Sequence, residues 1–281
     1  MPDPDKLLQT IRKAAEYSRT TPGRRGRVIL LLDATEVLAT GDLHGNIGNF
    51  QRILKVAELA KHPRLHLVMQ ELIHGKFLYA DGGEKSHQAV DLWCALKCQY
   101  PTRVHYLPGN HELSQWTSRL IGKDDADLNA NFRDGVRTAY GAHADAIYTA
   151  YLELFAALPL AIRTPNRVFL SHSLPSAGAL PQFDPAQMEH AEHQPSDFEP
   201  GGLVYALVWG RDNSAENAAN FLRKVNADWL ITGHIPCETG FATPNERQII
   251  LDCMGSPAAY CLFPTDRPLA AGELQARVKM L

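Results

Sequence analysis

The sequence predicts an α/β fold, and three observations lead to this prediction. Apolar runs of strand length alternate with segments whose apolar residues recur at helical spacing. Polar residues follow several of the predicted strands directly, at the end where open α/β sheets place their active sites. The hydrophobic fraction is 45% over 281 residues, which is ordinary for a globular protein and sufficient for a sizeable core.

The first half of the chain supplies three consecutive units of strand, polar loop and helix. An amphipathic helix at residues 6–17 and an apolar run at 28–32 precede them. The predicted strands are residues 36–40, 65–69 and 103–107, and the helices after the first two are 47–61 and 86–100. The loops after the strands read Gly-Asp-Leu-His-Gly-Asn (41–46), Gln-Glu-Leu-Ile-His-Gly (70–75) and Pro-Gly-Asn-His-Glu (108–112).

The second half adds two more strands that end in polar residues. After a predicted helical stretch at 113–160, strand 167–170 leads into Ser171-His172-Ser173 and strand 229–231 into Thr232-Gly233-His234. Between them lie an irregular segment, an apolar segment that ends before Arg211, and a helix, at residues 174–202, 203–209 and 217–225. Two late strands, 248–251 and 258–263, are predicted to form a hairpin, and the polar tail after Pro268 is predicted to be peripheral.

Composition argues against several classes of protein. The net charge is −3 with Lys and Arg scattered along the chain, so no nucleic-acid footprint is visible. No apolar run approaches the ~20 residues of a membrane helix, and the acidic start lacks the apolar core of a secretion signal. The five cysteines are odd in number and form no Cys-x-x-Cys pair, which favours reduced thiols and a cytoplasmic location.

The residues at the strand ends form a set suited to metal binding. They are Asp42, His44, Glu71, Asn110, His111, His172 and His234. Carboxylates, an amide oxygen and imidazoles together suit Mn, Fe or Zn better than Ca or Mg, and the set is large enough for two divalent ions. Two such ions bridged by a carboxylate hold phosphoryl oxygens and lower the pKa of a water molecule, and a histidine off the metals could protonate a leaving oxygen.

The motifs in this order resemble the calcineurin-like metallophosphoesterase superfamily. The match is closest to its branch of phosphoprotein phosphatases and symmetrical diadenosine tetraphosphatases, and Trp209-Gly210-Arg211 and Gly255-Ser256-Pro257 extend it. This resemblance implies a four-layer α/β/β/α sandwich with two mixed sheets. It also implies a metallophosphoesterase domain at residues 28–265, after an N-terminal helix and linker (1–27) and before a tail (266–281).

The resemblance implies a role for each site residue. Asp42 and His44 would bind the first metal, and Asn110, His172 and His234 the second. His111 would be the general acid. Arg211 would bind the substrate phosphate beside Asn110, in keeping with bidentate guanidinium–phosphate geometry. The implied activity is hydrolysis of a phosphate ester, on a phosphoprotein or a small molecule, by metal-activated water in one in-line step.

The middle motif departs from the family pattern Gly-Asp-x-x-Asp-Arg-Gly. One alignment places Glu71 as the bridging ligand, because it follows the strand 65–69 directly. A second alignment uses Asp81-Gly82-Gly83, because its distance to the next helix fits. We expect a combination in which Glu71 bridges the metals and Asp81 or His74 orients His111. The phosphate-binding arginine of the motif is absent, and Lys76 or Lys85 is a weak substitute.

This altered motif leaves two hypotheses of different classes. The first is an active, metal-dependent phosphatase, whose substrate is a phosphoprotein or a nucleotide such as a diadenosine polyphosphate. The second is a catalytically impaired relative that binds phosphate or a partner. We favour the first because every other ligand position carries a suitable side chain.

Overall fold

The computed structural model of the chain describes residues 3–120, 122–123, 126–190 and 192–281. Two mixed sheets face each other between layers of helices, which confirms the predicted α/β/β/α sandwich. The predictions for the N-terminal segment, the helical stretch 113–160 and the segment 174–202 each include positions outside the described residues.

The strands form the two inner layers. In chain order they are β1 (Arg24–Arg25), β2 (Val28–Leu30), β3 (Glu36–Asp42), β4 (Leu65–Gln70), β5 (Val104–Leu107), β6 (Gly122–Lys123), β7 (Ala126–Asp127), β8 (Ala161–Arg163), β9 (Val168–Ser171), β10 (Trp229–Thr232), β11 (Phe241–Asn245), β12 (Gln248–Leu251), β13 (Ala259–Pro264) and β14 (Val278–Met280). The smaller sheet has the order β14-β13-β3-β4-β5 and the larger one β1-β2-β8-β9-β10-β12-β11, while β6 and β7 pair with each other.

Helices cover the outer faces of both sheets. They are α1 (Pro4–Arg19), α2 (Ile47–Ala57), α3 (His87–Gln99), α4 (Asn110–Thr117), α5 (Leu128–Tyr140), α6 (Ala144–Ala157), α7 (Leu203–Trp209), α8 (Ala215–Lys224) and α9 (Glu273–Ala276). Side chains of α1, α2, α3, α5 and α6 pack on the smaller sheet, and those of α7 and α8 pack on the larger one. Among the described residues, none of these helices combines the length and the hydropathy that a bilayer crossing requires.

Strand periodicity divides the core into layers. Val37 and Ala39 of β3 point into the space between the sheets, whereas Leu38 points towards the helices. This alternation is the two-residue period of a strand. Because β3, β4 and β5 are parallel, as are β9, β10 and β12, several carboxyl ends meet at one edge of the sandwich.

The late strands were assigned the wrong partners. The predicted hairpin of residues 248–251 and 258–263 does not form, because β12 pairs with β10 and β11 whereas β13 pairs with β3 and β14 in the other sheet. Between them, Cys253 donates its N–H to the carbonyl of Asp42 (3.0 Å). The chain therefore crosses from one sheet to the other beside the end of β3.

Both terminal segments pack on the domain between them. Leu7 and Ile11 of α1 are buried in the core that α3 and α6 share. The tail was expected to be peripheral, but β14 pairs with β13 and Leu274 is buried between the sheets. The boundaries at residues 27 and 265 stay a prediction.

Two buried histidines between the sheets make the stability sensitive to acid. His66 Nδ1 lies 3.0 Å from His105 Nε2, so one proton joins the two neutral rings. Burial lowers the pKa of His66 to about 4, and the positive charges of Arg103 and Lys97 lower it further, while Asp33, 3.5 Å away, opposes them. Burial and Lys97 lower the pKa of His105 well below its usual range.

Since the pKa of each folded-state imidazole is lowered, stability is complete above pH ~6.5 and is lost as the pH falls towards 4. We expect the free energy of unfolding to decrease by roughly 3 kcal/mol over this interval because of His66 alone, and protonation of His105 acts in the same direction. Urea unfolding of the wild type and of a variant with both His66→Leu and His105→Leu tests this. The variant should have a flatter pH dependence below 6.5, and an unchanged slope would contradict the expectation.

Candidate active site

The polar residues at the strand ends converge at the shared edge of the two sheets. Asp42 ends β3, and its Oδ2 accepts the backbone N–H of His234 from the loop after β10 (2.7 Å). Its Oδ1 lies 3.5 Å from Nδ1 of His172, which follows β9. Residues about 190 positions apart in the chain thus meet at one point.

Glu71 occupies the centre of this arrangement. Its Oε2 lies 3.2 Å from Nε2 of His44, and its Oε1 lies 3.6 Å from Nε2 of His172. The same Nε2 of His172 is 3.3 Å from Oδ1 of Asn110. The backbone N–H of His111 donates to Glu71 Oε1 (3.0 Å) and fixes the carboxylate. Glu71 therefore faces His44 with one oxygen and His172 with the other.

The backbone at the site adopts an uncommon conformation. His44, Glu71, His74 and His234 all have positive φ, at 43°, 32°, 62° and 68°. Non-glycine residues rarely adopt this region, and each such residue costs on the order of 1 kcal/mol or more. The N–H groups of Leu43 and His44 donate to the carbonyl of Glu71 (2.9 and 3.1 Å), which ties the first two loops together.

Two glycines allow the close approach of the carboxylates. A Cβ at Gly109 would collide with Oε1 of Glu71, and one at Gly233 would collide with Oδ1 of Asp42. Both glycines belong to the motifs singled out in the sequence. Glycine is required at both positions for steric reasons, because Asp42 and Glu71 lie directly against the backbone of the neighbouring loops.

The side chains present fit divalent metal ions. Asp42 Oδ1, His172 Nδ1 and His234 Nε2 are buried and have no hydrogen-bond partner among the described residues, so each has a lone pair or a proton that the protein leaves unsatisfied. Two groups of possible ligands share Glu71: one with His44 and His111, the other with Asp42 and His172. Burial lowers the pKa of His172 to about 4 and that of His234 to about 3, so both rings are neutral at pH 7, as metal ligands must be.

The close pair of carboxylates, Asp42 and Glu71, favours positive charge beside it. Burial and the proximity of Glu71 raise the pKa of Asp42 well above its usual range. Burial opposes a charge on His44, but Glu71 and Asp42 raise the pKa of its imidazole to about 10. His44 Nδ1 lies 2.8 Å from the carbonyl of Ile73, which orients the ring and directs Nε2 towards Glu71.

His111 lies next to His74. Their ring centroids are 5.0 Å apart, and His111 Nδ1 and His74 Nε2 are both buried without a hydrogen-bond partner among the described residues. His74 Nδ1 lies 3.2 Å from Oε2 of the buried Glu84, whose Oε1 accepts the backbone N–H of His74 (3.0 Å). Burial lowers the pKa of His111 to about 3, so the imidazole is neutral in the free protein.

Of the two residues expected near His111, His74 lies there and Asp81 does not. Its carboxylate is exposed and accepts hydrogen bonds from the N–H of Gly83 (3.1 Å) and from the Thr138 hydroxyl. It is absent from the lining of the cavity that contains Asp42, Glu71 and His111. Asp81 instead contacts Thr138 of α5, and Glu84, three residues later, is the carboxylate of this loop that points inward and contacts His74.

A cavity of 520 Å³ opens above the strand ends. Its lining combines Asp42, His44, Glu71, Asn110, His111 and His234 with the cations Arg211 and Lys76. Arg211 is exposed, and within the described residues it makes no ion pair with Asp212 or Glu216. The guanidinium is therefore available to a ligand in the cavity.

Three acidic residues of the site were not assigned a role from the sequence. Glu84 holds His74, and Glu112 accepts the N–H groups of Leu72 and Ile73 (both 3.0 Å) and of Gly109 (2.8 Å). Asp252 lines the cavity and accepts the N–H groups of Cys237 and Met254. Glu112 stands inside the Pro-Gly-Asn-His-Glu motif, and its position three residues after Gly109 is the available signal for its capping role.

The comparisons with known proteins agree with this geometry. The model of the calcineurin-like phosphoesterase family matches residues 35–238. The "Probable serine/threonine-protein phosphatase" of Encephalitozoon cuniculi is 27% identical over 234 residues, which are 76% of this chain and 46% of that protein. The chain thus spans less than half the length of the curated relatives it matches.

Solved structures share the fold. A Saccharomyces cerevisiae protein serine/threonine phosphatase with similarity to human phosphatase PP5 superposes with a TM-score of 0.71 at 15% identity, covering 100% of this chain and 89% of that one. A cold-active protein-tyrosine phosphatase of Shewanella has a TM-score of 0.60 at 16% identity, covering 95% and 84%. At these identities the structures support the fold alone.

Proposed function

Since the chain belongs to the calcineurin-like phosphoesterase family, we propose that it is a metal-dependent phosphatase that hydrolyses phosphate monoesters. The observation that carries the proposal is the position of Glu71, whose two oxygens face two separate groups of possible ligands. This arrangement is what a carboxylate shared by two metal ions requires. Glutamate in place of the first aspartate of the middle motif is therefore compatible with a dinuclear centre.

The ligands divide between two divalent ions. By the family pattern, Asp42, His44 and Glu71 would hold the first, and Glu71, Asn110, His172 and His234 the second. The distances between side chains instead group Asp42 with His172 and His44 with His111, and Glu71 belongs to both groups. When bound, the two ions supply Lewis-acid polarisation of the phosphoryl oxygens and lower the pKa of a water molecule. The mixture of nitrogen and oxygen donors favours Mn, Fe or Zn.

His111 is proposed as the proton donor to the leaving oxygen. It lines the cavity next to Asn110, and the dianionic phosphate of a bound substrate would favour its imidazolium form. His74 and Glu84 act as positioning residues, because the ring of His74 packs on that of His111 while Glu84 fixes the other side of His74. Of the two residues expected to orient His111, Asp81 or His74, the proposal therefore assigns that role to His74, which Glu84 holds.

Arg211 is proposed to bind the phosphate of the substrate together with Asn110. Its planar guanidinium matches two phosphate oxygens, and the side chain reaches the cavity without an ion-pair partner among the described residues. Lys76 is the other cation of the cavity lining. The motif arginine cannot be replaced at the position after His74. That residue is Gly75, and a Cβ added there would collide with the carbonyl of His44.

A phosphoprotein is the substrate class that the named relatives favour, because they are serine/threonine-protein phosphatases. A nucleotide such as a diadenosine polyphosphate is the alternative within the same chemistry. The catalytically impaired alternative is disfavoured, since two groups of possible metal ligands meet at Glu71. A cytoplasmic location stays a prediction.

Hydrolysis of an aryl phosphate tests the proposed activity. We expect the protein to hydrolyse it when supplied with Mn, to contain close to two metal ions per chain, and to lose at least about 10³-fold of kcat on chelation, with recovery on adding Mn back. Metal content is measured by elemental analysis of the same sample. A folded protein that takes up no metal and hydrolyses no phosphate ester would refute the proposal.

A further inference from the structure

A second groove adjoins the catalytic cavity. It has a volume of 460 Å³ and shares Lys76 and Leu78 with the cavity lining. Its other walls are the segment Gly45–Gly48 at the start of α2 and the side chains of Phe77, Lys85 and Gln88. The groove and the cavity therefore adjoin along Lys76 and Leu78.

The loop that forms this groove is anchored by backbone hydrogen bonds at its base, where it exposes two adjacent apolar side chains. Leu78 and Glu84 form a β-bridge, and Lys85 donates its N–H to the carbonyl of Phe77 (2.8 Å). Glu84 at the base is buried and donates its N–H to the carbonyl of Asn131 (2.9 Å). Phe77 and Leu78 are 45% and 48% exposed, which is unusual for two adjacent large apolar residues on an otherwise fixed loop.

The groove is positively charged, whereas the cavity lining mixes carboxylates and cations. Four carboxylates line the cavity, namely Asp42, Glu71, Glu84 and Asp252, whereas none of the described residues that line the groove is acidic. Lys76 and Lys85 lie over the rings of Phe77 and Tyr79 (5.7 and 5.0 Å to the centroids) and form no ion pair among the described residues. The groove also receives the positive end of α2, which has 11 residues.

We propose that this groove binds the polypeptide segment next to the phosphorylated residue and selects a segment that carries an acidic side chain. The inference rests on the proposed phosphatase activity and specifies its substrate. The acidic side chain would lie between Lys76 and Lys85, and an apolar side chain would cover Phe77 and Leu78. The groove adjoins the cavity that would hold the phosphate, and its two lysines are complementary to an acidic side chain. Both features favour an extended phosphopeptide as the occupant.

The test compares phosphoserine peptides that differ only in the residues flanking the phosphoserine, which are glutamates in one peptide and lysines in the other. We expect kcat/KM of the wild type to be about tenfold higher for the acidic peptide. Lys85 does not line the cavity, so it is not the substitute for the phosphate-binding arginine that the sequence offered. In Lys85→Glu the preference should therefore fall to about twofold or less, while kcat/KM for an aryl phosphate, too small to reach the groove, stays unchanged. Lys6→Glu, the same charge change on the exposed face of α1, should keep the tenfold preference.

Binding separates this inference from the activity on which it rests. The Kd values of the same two peptides, made with a non-hydrolysable phosphonate and measured by fluorescence anisotropy on metal-loaded protein, should show the same preference and the same loss in Lys85→Glu. Equal Kd values for both peptides, or a preference that Lys85→Glu leaves intact, would overturn the inference. Failure to hydrolyse the aryl phosphate would instead refute the proposed activity and leave the binding comparison decisive for the groove.

Discussion

Replacing Glu71 with alanine is expected to lower kcat on an aryl phosphate by at least about 10³-fold and to reduce the metal content per chain. The physical reason is that Glu71 is the one carboxylate that faces both ligand groups, at 3.2 Å from His44 and 3.6 Å from His172. Without it the two groups share no ligand. Steady-state kinetics and elemental analysis on the same preparation measure both effects.

Two further substitutions separate charge from shape at this position. Glu71→Gln keeps an oxygen that can accept the N–H of His111 but removes the negative charge, so it should lose metal almost as completely as Glu71→Ala. Glu71→Asp keeps the charge on a side chain one methylene shorter and should retain part of the activity. If Glu71→Gln binds metal and hydrolyses phosphate like the wild type, the bridging role is wrong.

Replacing His111 with alanine is expected to lower kcat in a way that depends on the leaving group. For a phosphoserine peptide, whose leaving alkoxide needs a proton, the decrease should be about 10²- to 10⁴-fold. For an aryl phosphate with an acidic phenol the decrease should be much smaller, because that leaving group departs without protonation. Comparing kcat for the two substrates at saturating Mn measures the difference.

The neighbours of His111 provide the controls for this prediction. His74→Ala should show the same dependence on the leaving group to a lesser degree, since its ring contacts that of His111. Asp81→Ala should behave as the wild type, because its carboxylate is exposed and contacts Gly83 and Thr138. Equal losses on both substrates in His111→Ala would contradict the role of proton donor and point to a role in binding.

The metal-ligand candidates could be predicted from the sequence because the ends of the strands can be located in it. Apolar runs locate the strands, and parallel pairing brings the residues that follow them to one edge. This reasoning reached Asp42, His172 and His234 although they lie far apart in the chain. It also favoured Glu71 over the segment at Asp81, because Glu71 follows its strand directly.

The supporting residues depend on tertiary geometry that no local pattern encodes. Glu84 reaches His74 because the intervening loop folds back through the bridge between Leu78 and Glu84. The positive φ of His44, Glu71 and His74 reflects constraint from the surrounding loops rather than the preference of those residues.

The error at the late strands has a similar origin. Two strands separated by a short connection read as a hairpin from sequence, yet β12 and β13 belong to different sheets. The connection between them packs against the end of β3, where Cys253 bonds to Asp42 and Asn49 donates to the carbonyls of Cys253 (2.8 Å) and Gly255 (2.7 Å). These long-range contacts outweigh the local tendency to pair.

Anomalous diffraction from crystals grown with Mn tests the dinuclear centre most directly. We predict two anomalous peaks per chain, one beside Asp42 and His44 and the other beside Asn110, His172 and His234, with the carboxylate of Glu71 between them. A single peak, or two peaks with Glu71 turned away from both, would contradict the account of the site.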